Sequence, residues 1–208
     1  MARDSSYRMP TVTFAAMSDV SMDIAKRLQA GTSWKELKEE ILQEGLMPQK
    51  SLSGRKRVLE EIWYRLSHLK SEELELLSKT ELTTGRLLIH LAACRAYPFL
   101  MELMIQVLRE KILVHDLILQ VYEFELFWEQ EAQTHPEVDR LGTKSKDEIR
   151  RAIYRFLVEV RILESVKNPQ LQTPWVSSEL AAILKKDDAG WLKLFLLTDK
   201  QIKELSKE

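Results

Sequence analysis

Residues 33–66 read SWKELKEEILQEGLMPQKSLSGRKRVLEEIWYRL, and two helices joined by a turn can be read from them. Ser33 and Glu36 have the S-x-x-E spacing of a capping box, in which the serine side chain and the glutamate side chain each satisfy a free backbone N–H at a helix start. Trp34, Leu37, Ile41 and Leu42 then recur at helical spacing, and Gly45 supplies the stop. The stretch Leu46–Leu52 contains Pro48 and reads as a turn. A second helix from about Ser53 to Leu69 follows, with Val58, Leu59, Ile62, Trp63, Leu66 and Leu69 as its inner face. A helix, a glycine-containing turn, and a helix with Ser and Arg/Lys in its first turn make the layout of a helix-turn-helix.

The same periodicity extends outward in both directions. Upstream, a helix spans about Met22–Ala30 and stops at Gly31. Downstream, helices are expected over Ser71–Ser78, Leu82–Ala96 and from Pro98 to about Lys111. A long one opens at His115 or Asp116 and stops at His135-Pro136, with apolar residues almost all round, as in a helix buried within a bundle. Ser145 opens a helix reaching about Leu163, with Ile149, Ile153, Phe156, Leu157 and Val160 inward. Residues 164–175 lose the period, and Ile162–Val166 with Gln170–Pro174 read as the two arms of a small β-hairpin. Three short helices, Ser178–Lys185, Ala189–Leu196 and Asp199–Ser206, close the chain. The expectation is an all-α (mostly α) protein in three units: a helix-turn-helix-like module over 1–70, a central helical bundle over 71–141, and a winged-helix-like module with closing helices over 142–208.

Composition narrows the function. Lys plus Arg number 31 and Asp plus Glu 32 in 208 residues, which excludes a uniformly basic nucleic-acid coat and an acidic tail. A single cysteine, Cys94, excludes an internal disulfide framework and a Cys-rich zinc site, and its apolar neighbours mark it as a buried, inert thiol. The start, Met1–Pro10, lacks the apolar stretch of a signal peptide. The window Leu87–Leu108 is interrupted by His90, Arg95, Glu102 and Gln106, so it reads as buried helix in a soluble, cytoplasmic protein with no membrane partner. No phosphate-cradling glycine loop and no H-E-x-x-H occur, and the four histidines are scattered. No enzyme, cofactor or metal is expected.

What remains is segregated charge. Residues 50–70 carry Lys50, Arg55, Lys56, Arg57, Arg65 and Lys70 against Glu60 and Glu61. Residues 115–141 carry seven acids against Arg140, and residues 144–167 carry seven cations against four acids. Lys50, Ser51, Ser53, Arg55, Lys56 and Arg57 surround a helix N-terminus, whose free N–H groups favour an anion, so hydroxyls and cations there suit phosphate or base edges. Arg151 and Arg155 lie four apart on the outer face of a later helix, and Lys167 falls in the hairpin that follows. The plainer alternative for both segments is a solvated helix face, tied in the second case by salt bridges such as Glu148 to Arg151 or Arg155 to Glu159. Trp34, Trp63, Trp128 and Phe156 fall on apolar stripes and read as core.

The run Ala30-Gly31-Thr32-Ser33-Trp34-Lys35-Glu36-Leu37, the stretch Ser51–Leu66 ending Ile62-Trp63-Tyr64-Arg65-Leu66, and the closing Asp187-Asp188-Ala189-Gly190-Trp191-Leu192-Lys193-Leu194-Phe195-Leu196-Leu197 together resemble the BrxA family of BREX (bacteriophage exclusion) systems. The resemblance lies in the order of blocks over nearly the whole chain. It implies a helical protein with helix-turn-helix-like modules that binds double-stranded DNA beside a methyltransferase, an ATPase and other BREX proteins, and it carries no catalytic residues. The resulting expectation is a non-enzymatic DNA-binding accessory protein whose contacts are Lys50, Ser51, Ser53, Arg55, Lys56, Arg57, Arg65, Arg151, Arg155 and Lys167. The alternatives are a helical adaptor for other defence proteins, using the acidic Asp116–Asp139 stretch, and a NusB-like RNA-binding bundle.

Overall fold

The computed structural model describes residues 7–45 and 47–205. The polar start Met1–Ser6, the turn residue Leu46 and the helix end at Ser206 lie outside the described residues. Helices α1 (Ser18–Gln29), α2 (Trp34–Glu44), α3 (Leu52–Leu66), α4 (Ser71–Lys79) and α5 (Leu82–Ala96) come first. Then α6 (Pro98–Glu102), a π-helical stretch (Leu103–Arg109) and α7 (Glu110–Leu113) run on without a break, as the helix expected from Pro98 with a π-helical middle. The second half holds α8 (Val121–Thr134), α9 (Pro136–Asp139), α10 (Thr143–Glu159), α11 (Ser178–Asp187), a 3-10 stretch (Ala189–Phe195) and α12 (Asp199–Leu205). The protein is mostly helical, as the periodicity predicts.

Local chemistry sets most helix ends. The capping box at α2 forms, with Ser33 N–H donating to Glu36 at 3.1 Å, and Gly45 closes the helix at φ 68°. Ser51 caps α3 by accepting the Gly54 N–H at 3.1 Å, and a Cβ on Gly54 would sit 2.9 Å from the Ser51 hydroxyl. Other ends are set from afar. α1 begins four residues before the periodicity suggests, because the Glu159 carboxylate accepts the Ala16 N–H at 2.9 Å and the Ser18 N–H at 3.2 Å. α10 stops at Glu159 rather than Leu163. Arg161 turns left-handed at φ 65° and Ile162 N–H reaches back to the Leu157 carbonyl at 2.8 Å, the closing bond of a Schellman motif.

α2 and α3 form an antiparallel hairpin. The ends farthest from the turn touch, with Trp34 and Trp63 stacked at 4.5 Å and Lys38 bonded to Glu60.

The long helix expected from His115 or Asp116 starts instead at Val121, after an extended segment. Leu119 N–H donates to the Pro169 carbonyl at 3.0 Å and Leu171 N–H to the Leu117 carbonyl at 2.7 Å. On the other side of the 169–172 segment, Glu164 N–H meets the Gln170 carbonyl and Gln172 N–H the Ile162 carbonyl, both at 2.9 Å. The two hairpin arms therefore pair antiparallel, and 117–119 adds a third edge. Among the described residues only the isolated bridges Ile118–Gln170 and Leu163–Leu171 form, short of a strand ladder.

One apolar cluster runs from Phe14 to Ile202. Phe156 of α10 stacks on Phe14 at 4.3 Å, and Phe99, Phe124, Phe127 and Trp128 form a second aromatic knot between α6 and α8. Among the described residues no single helix is long and apolar enough to cross a membrane; α5 and the following Pro98–Leu113 segment meet at 116° and α5 is largely buried.

Candidate nucleic-acid interface

The sequence-predicted residues fall into two exposed groups and one buried exception. The first group rings the α3 N-terminus. Lys50, Ser51, Ser53, Lys56 and Arg57 are exposed, and Arg55 is half-buried with its Nε unpartnered. The Ser51 hydroxyl is already engaged as the cap, and the Ser53 hydroxyl donates to it at 3.4 Å. None of Lys50, Arg55, Lys56 and Arg57 has an ion-pair partner among the described residues.

Arg65 is the exception, and the DNA contact expected of it is ruled out by position. It is 2% exposed, on the inner face of α3. Its guanidinium lies 5.3 Å from the Phe14 ring and 5.9 Å from Phe156, with its Nε 3.9 Å from the Glu61 carboxylate. Burial pushes its pKa down, opposed by the charge of Glu61. Tyr97 donates its hydroxyl to the same Glu61. This is a polar knot inside the core, where α3 and α10 meet through their buried faces.

The second group lies on α10 and the loop beyond it. Arg151 and Arg155 are exposed and lack ion-pair partners among the described residues. Among the described residues the salt bridges that would neutralise this face do not form: Glu159 is turned away to the start of α1, and Glu148 has no ion-pair partner there. Arg150, one residue over, does pair, with Asp147 at 3.2 Å. Lys167 projects from the hairpin turn, which Ser165 and Asn168 fix through the Asn168 N–H bond to the Ser165 hydroxyl at 2.9 Å. Exposed Lys144 at the start of α10 extends the same basic helix.

These free cations contrast with the chain's structural ones. Arg95 is clamped by Glu73 at 2.5 and 2.9 Å, Arg109 by Asp199 at 2.7 Å, and Arg27 by Asp23 and Glu44 at 2.8 and 2.9 Å. Lys111 is buried and bridges Asp116 and Glu123, which holds the Asp116 carboxyl below its usual range. The acidic 115–141 stretch is thus partly spent inside: Asp116, Glu123 and Glu131 have protein partners, Glu131 accepting the Tyr7 hydroxyl. α8 itself is not buried all round, since Val121, Tyr122 and Leu126 face outward.

His90 and Cys94 approach to 3.6 Å, but both are sealed in the core. Burial pushes the thiol up and the imidazole down to about 4. The residues that sequence reasoning missed are 117–119, the third edge beside the hairpin. Their signal was the Gln120-x-x-Glu123 capping box, which marks Val121 as the helix start; Gln120 N–H donates to Glu123 at 2.7 Å.

A family model described as BrxA matches residues 5–188 of the chain. Among solved structures, the chain is similar to one titled as the crystal structure of an uncharacterized protein from Magnetospirillum magneticum. The TM-score is 0.73 and the identity 18%, with 89% of this chain and 95% of that one covered, a likeness of fold. No curated protein matches the sequence.

Proposed function

From the chain's membership of the BrxA family, and through it of BREX phage defence, we propose that it is a non-enzymatic, cytoplasmic protein that binds double-stranded DNA within that system. The observation that carries the reading is the free arginine pair, Arg151 and Arg155, on a helix that leads straight into a turn bearing Lys167. The order around it supports a winged-helix-like element: helix α7, extended 117–119, helices α8, α9 and α10, then two antiparallel arms. In such an element the helix before the hairpin faces the DNA groove and the hairpin turn touches the backbone. The α3 N-terminus, with Lys50, Lys56 and Arg57, offers a second phosphate surface by its free charge. Other BREX proteins, a methyltransferase and an ATPase among them, are the proposed company.

The test is binding of a short duplex across a salt series. Log affinity should fall against log salt with a slope of about −0.9 per phosphate neutralised, so R151A/R155A/K167A should flatten the slope by up to about 2.7. K50A/K56A/R57A reports the α3 surface in the same way. Wild-type slope and affinity in both triple variants would overturn the assignment, and preferential competition by RNA would redirect it to a NusB-like role.

A further inference from the structure

Beside the hairpin, whose 169–171 arm pairs with 117–119, the molecule leaves an apolar strip uncovered. The connector from α7 to α8 is a place where polar residues are expected, yet residues 113–118 are all exposed and include Leu113, Val114, Leu117 and Ile118, with Val114 71% open. The strip continues onto the outer face of α8, where Tyr122 is 59% and Leu126 54% exposed, one helical turn apart. Contiguous exposed apolar surface of this kind marks an interaction site. Tyr and Leu side by side, with the Tyr hydroxyl toward water, suit a protein interface.

Charge selects the occupant. Glu125 and Glu129 share the exposed face of α8 with Tyr122 and Leu126 and have no ion-pair partner among the described residues. The only Lys or Arg between Glu110 and Gln133 is Lys111, already bound by two acids. Nucleic acid and an anionic lipid surface would be repelled. A symmetric contact with a second copy would set acid on acid. We infer that the 113–126 strip, flanked by Glu125 and Glu129, is the docking site for a basic amphipathic helix of a partner protein. Apolar residues of that helix cover Tyr122, Leu126 and the connector, and its Lys or Arg residues reach the two glutamates. The inference is testable apart from the DNA reading, because Tyr122, Glu125, Leu126, Glu129 and the exposed connector include none of the cations of α3, α10 and the hairpin.

The experiment uses the full chain and a fluorescent peptide of about 18 residues, built of Leu and Lys at amphipathic helical spacing. Two controls accompany it: the same composition scrambled out of helical period, and the Leu/Glu counterpart. Saturable binding of the Leu/Lys peptide is expected. Y122S/L126S should weaken it about tenfold or more, as truncated anchor residues do. E125Q/E129Q should weaken it severalfold and flatten its salt dependence, which a purely apolar contact would not show. All four side chains are exposed, so both variants should melt with wild type and bind duplex DNA as wild type does. Absence of saturable binding, equal binding of either control peptide, or equal binding by Y122S/L126S overturns the inference. So does a concentration-dependent dimer in sedimentation that Y122S/L126S abolishes, since a second copy would then own the face.

Discussion

Arg65 is where chemistry and position disagree most, and its removal gives the sharpest test of the fold. A guanidinium carries five N–H donors. Here, among the described residues, Nε reaches only the Glu61 carbonyl, at 3.4 Å, and Nη1 and Nη2 have no hydrogen-bond partner. The nearest carboxylate oxygen is 3.9 Å away. The charge is therefore poorly repaid for its desolvation, and what the side chain does contribute is volume between Phe14 and Phe156 and a counter-charge for buried Glu61. Arg65→Ala removes both and should cost about 3–5 kcal/mol, the scale for breaking a buried pair. For a domain of this size that is a fall of roughly 6–20 °C in Tm. R65M/E61Q keeps the volume and leaves no buried charge, so its stability should equal or exceed that of wild type, by up to about 1–4 kcal/mol. Urea unfolding followed by circular dichroism measures both, and the duplex salt slope of R65M/E61Q should match wild type. If Arg65→Ala proves as stable as wild type while its salt slope flattens, Arg65 faces solvent and the packing of α3 described above is wrong.

Three further outcomes follow from single groups. His90 is pushed from its ordinary value of 6.5 to about 4 by burial, so between those values the unfolded chain holds a proton that the folded one refuses. Stability should fall by roughly 3 kcal/mol as pH drops through that window, and in urea unfolding at pH 7 and pH 4.5 His90→Asn should fall less than wild type. Ser51→Ala removes the α3 cap and should cost about 1 kcal/mol, while leaving the duplex salt slope unchanged, because a hydroxyl releases no counterion. Glu159→Ala strands the Ala16 and Ser18 N–H groups at the start of α1; a loss of about 2–4 kcal/mol is expected, with faster hydrogen exchange in the first turn of α1. Unchanged exchange there would refute the long-range cap.

What could be read from the sequence, and what could not, follows the range of the interaction. α5 matches its expected bounds of Leu82–Ala96, and α2 keeps its Ser33 cap, because their signals lie within a turn or two of chain. The start of α1 depends on a carboxylate more than 140 residues away, which no local pattern carries. The end of α10 depends on an arginine taking the left-handed conformation usually left to glycine. Residues 117–119 are apolar enough to prolong a helix; the Gln120–Glu123 box marks where the helix starts, and pairing with 169–171 holds the residues before it extended. Arg65 was legible in the period: Val58, Ile62 and Arg65 stand at i, i+4 and i+7, on the buried face. Its charge argued for the surface, and the periodicity was the better guide.

The same lesson bears on charge as a signal of function. A net charge of −1 and segment totals of either sign count every ionised group alike, whereas the fold sorts them by partner. Arg95, Arg109 and Lys111 are largely buried cations held by carboxylates and contribute little to the outer field. Arg151, Arg155, Lys56 and Arg57 are left free and exposed, and so can release phosphate counterions on contact with DNA. Among the acids, Asp116, Glu123 and Glu131 are tied, and Glu125 and Glu129 are not. What distinguishes the surfaces is therefore the remainder after pairing: cations on α3, α10 and the hairpin, and acids beside apolar side chains on α8. On the proposed reading, in which the chain holds DNA and a partner at once, that division is an advantage, since neither the phosphate backbone nor a basic helix would compete for the other's surface.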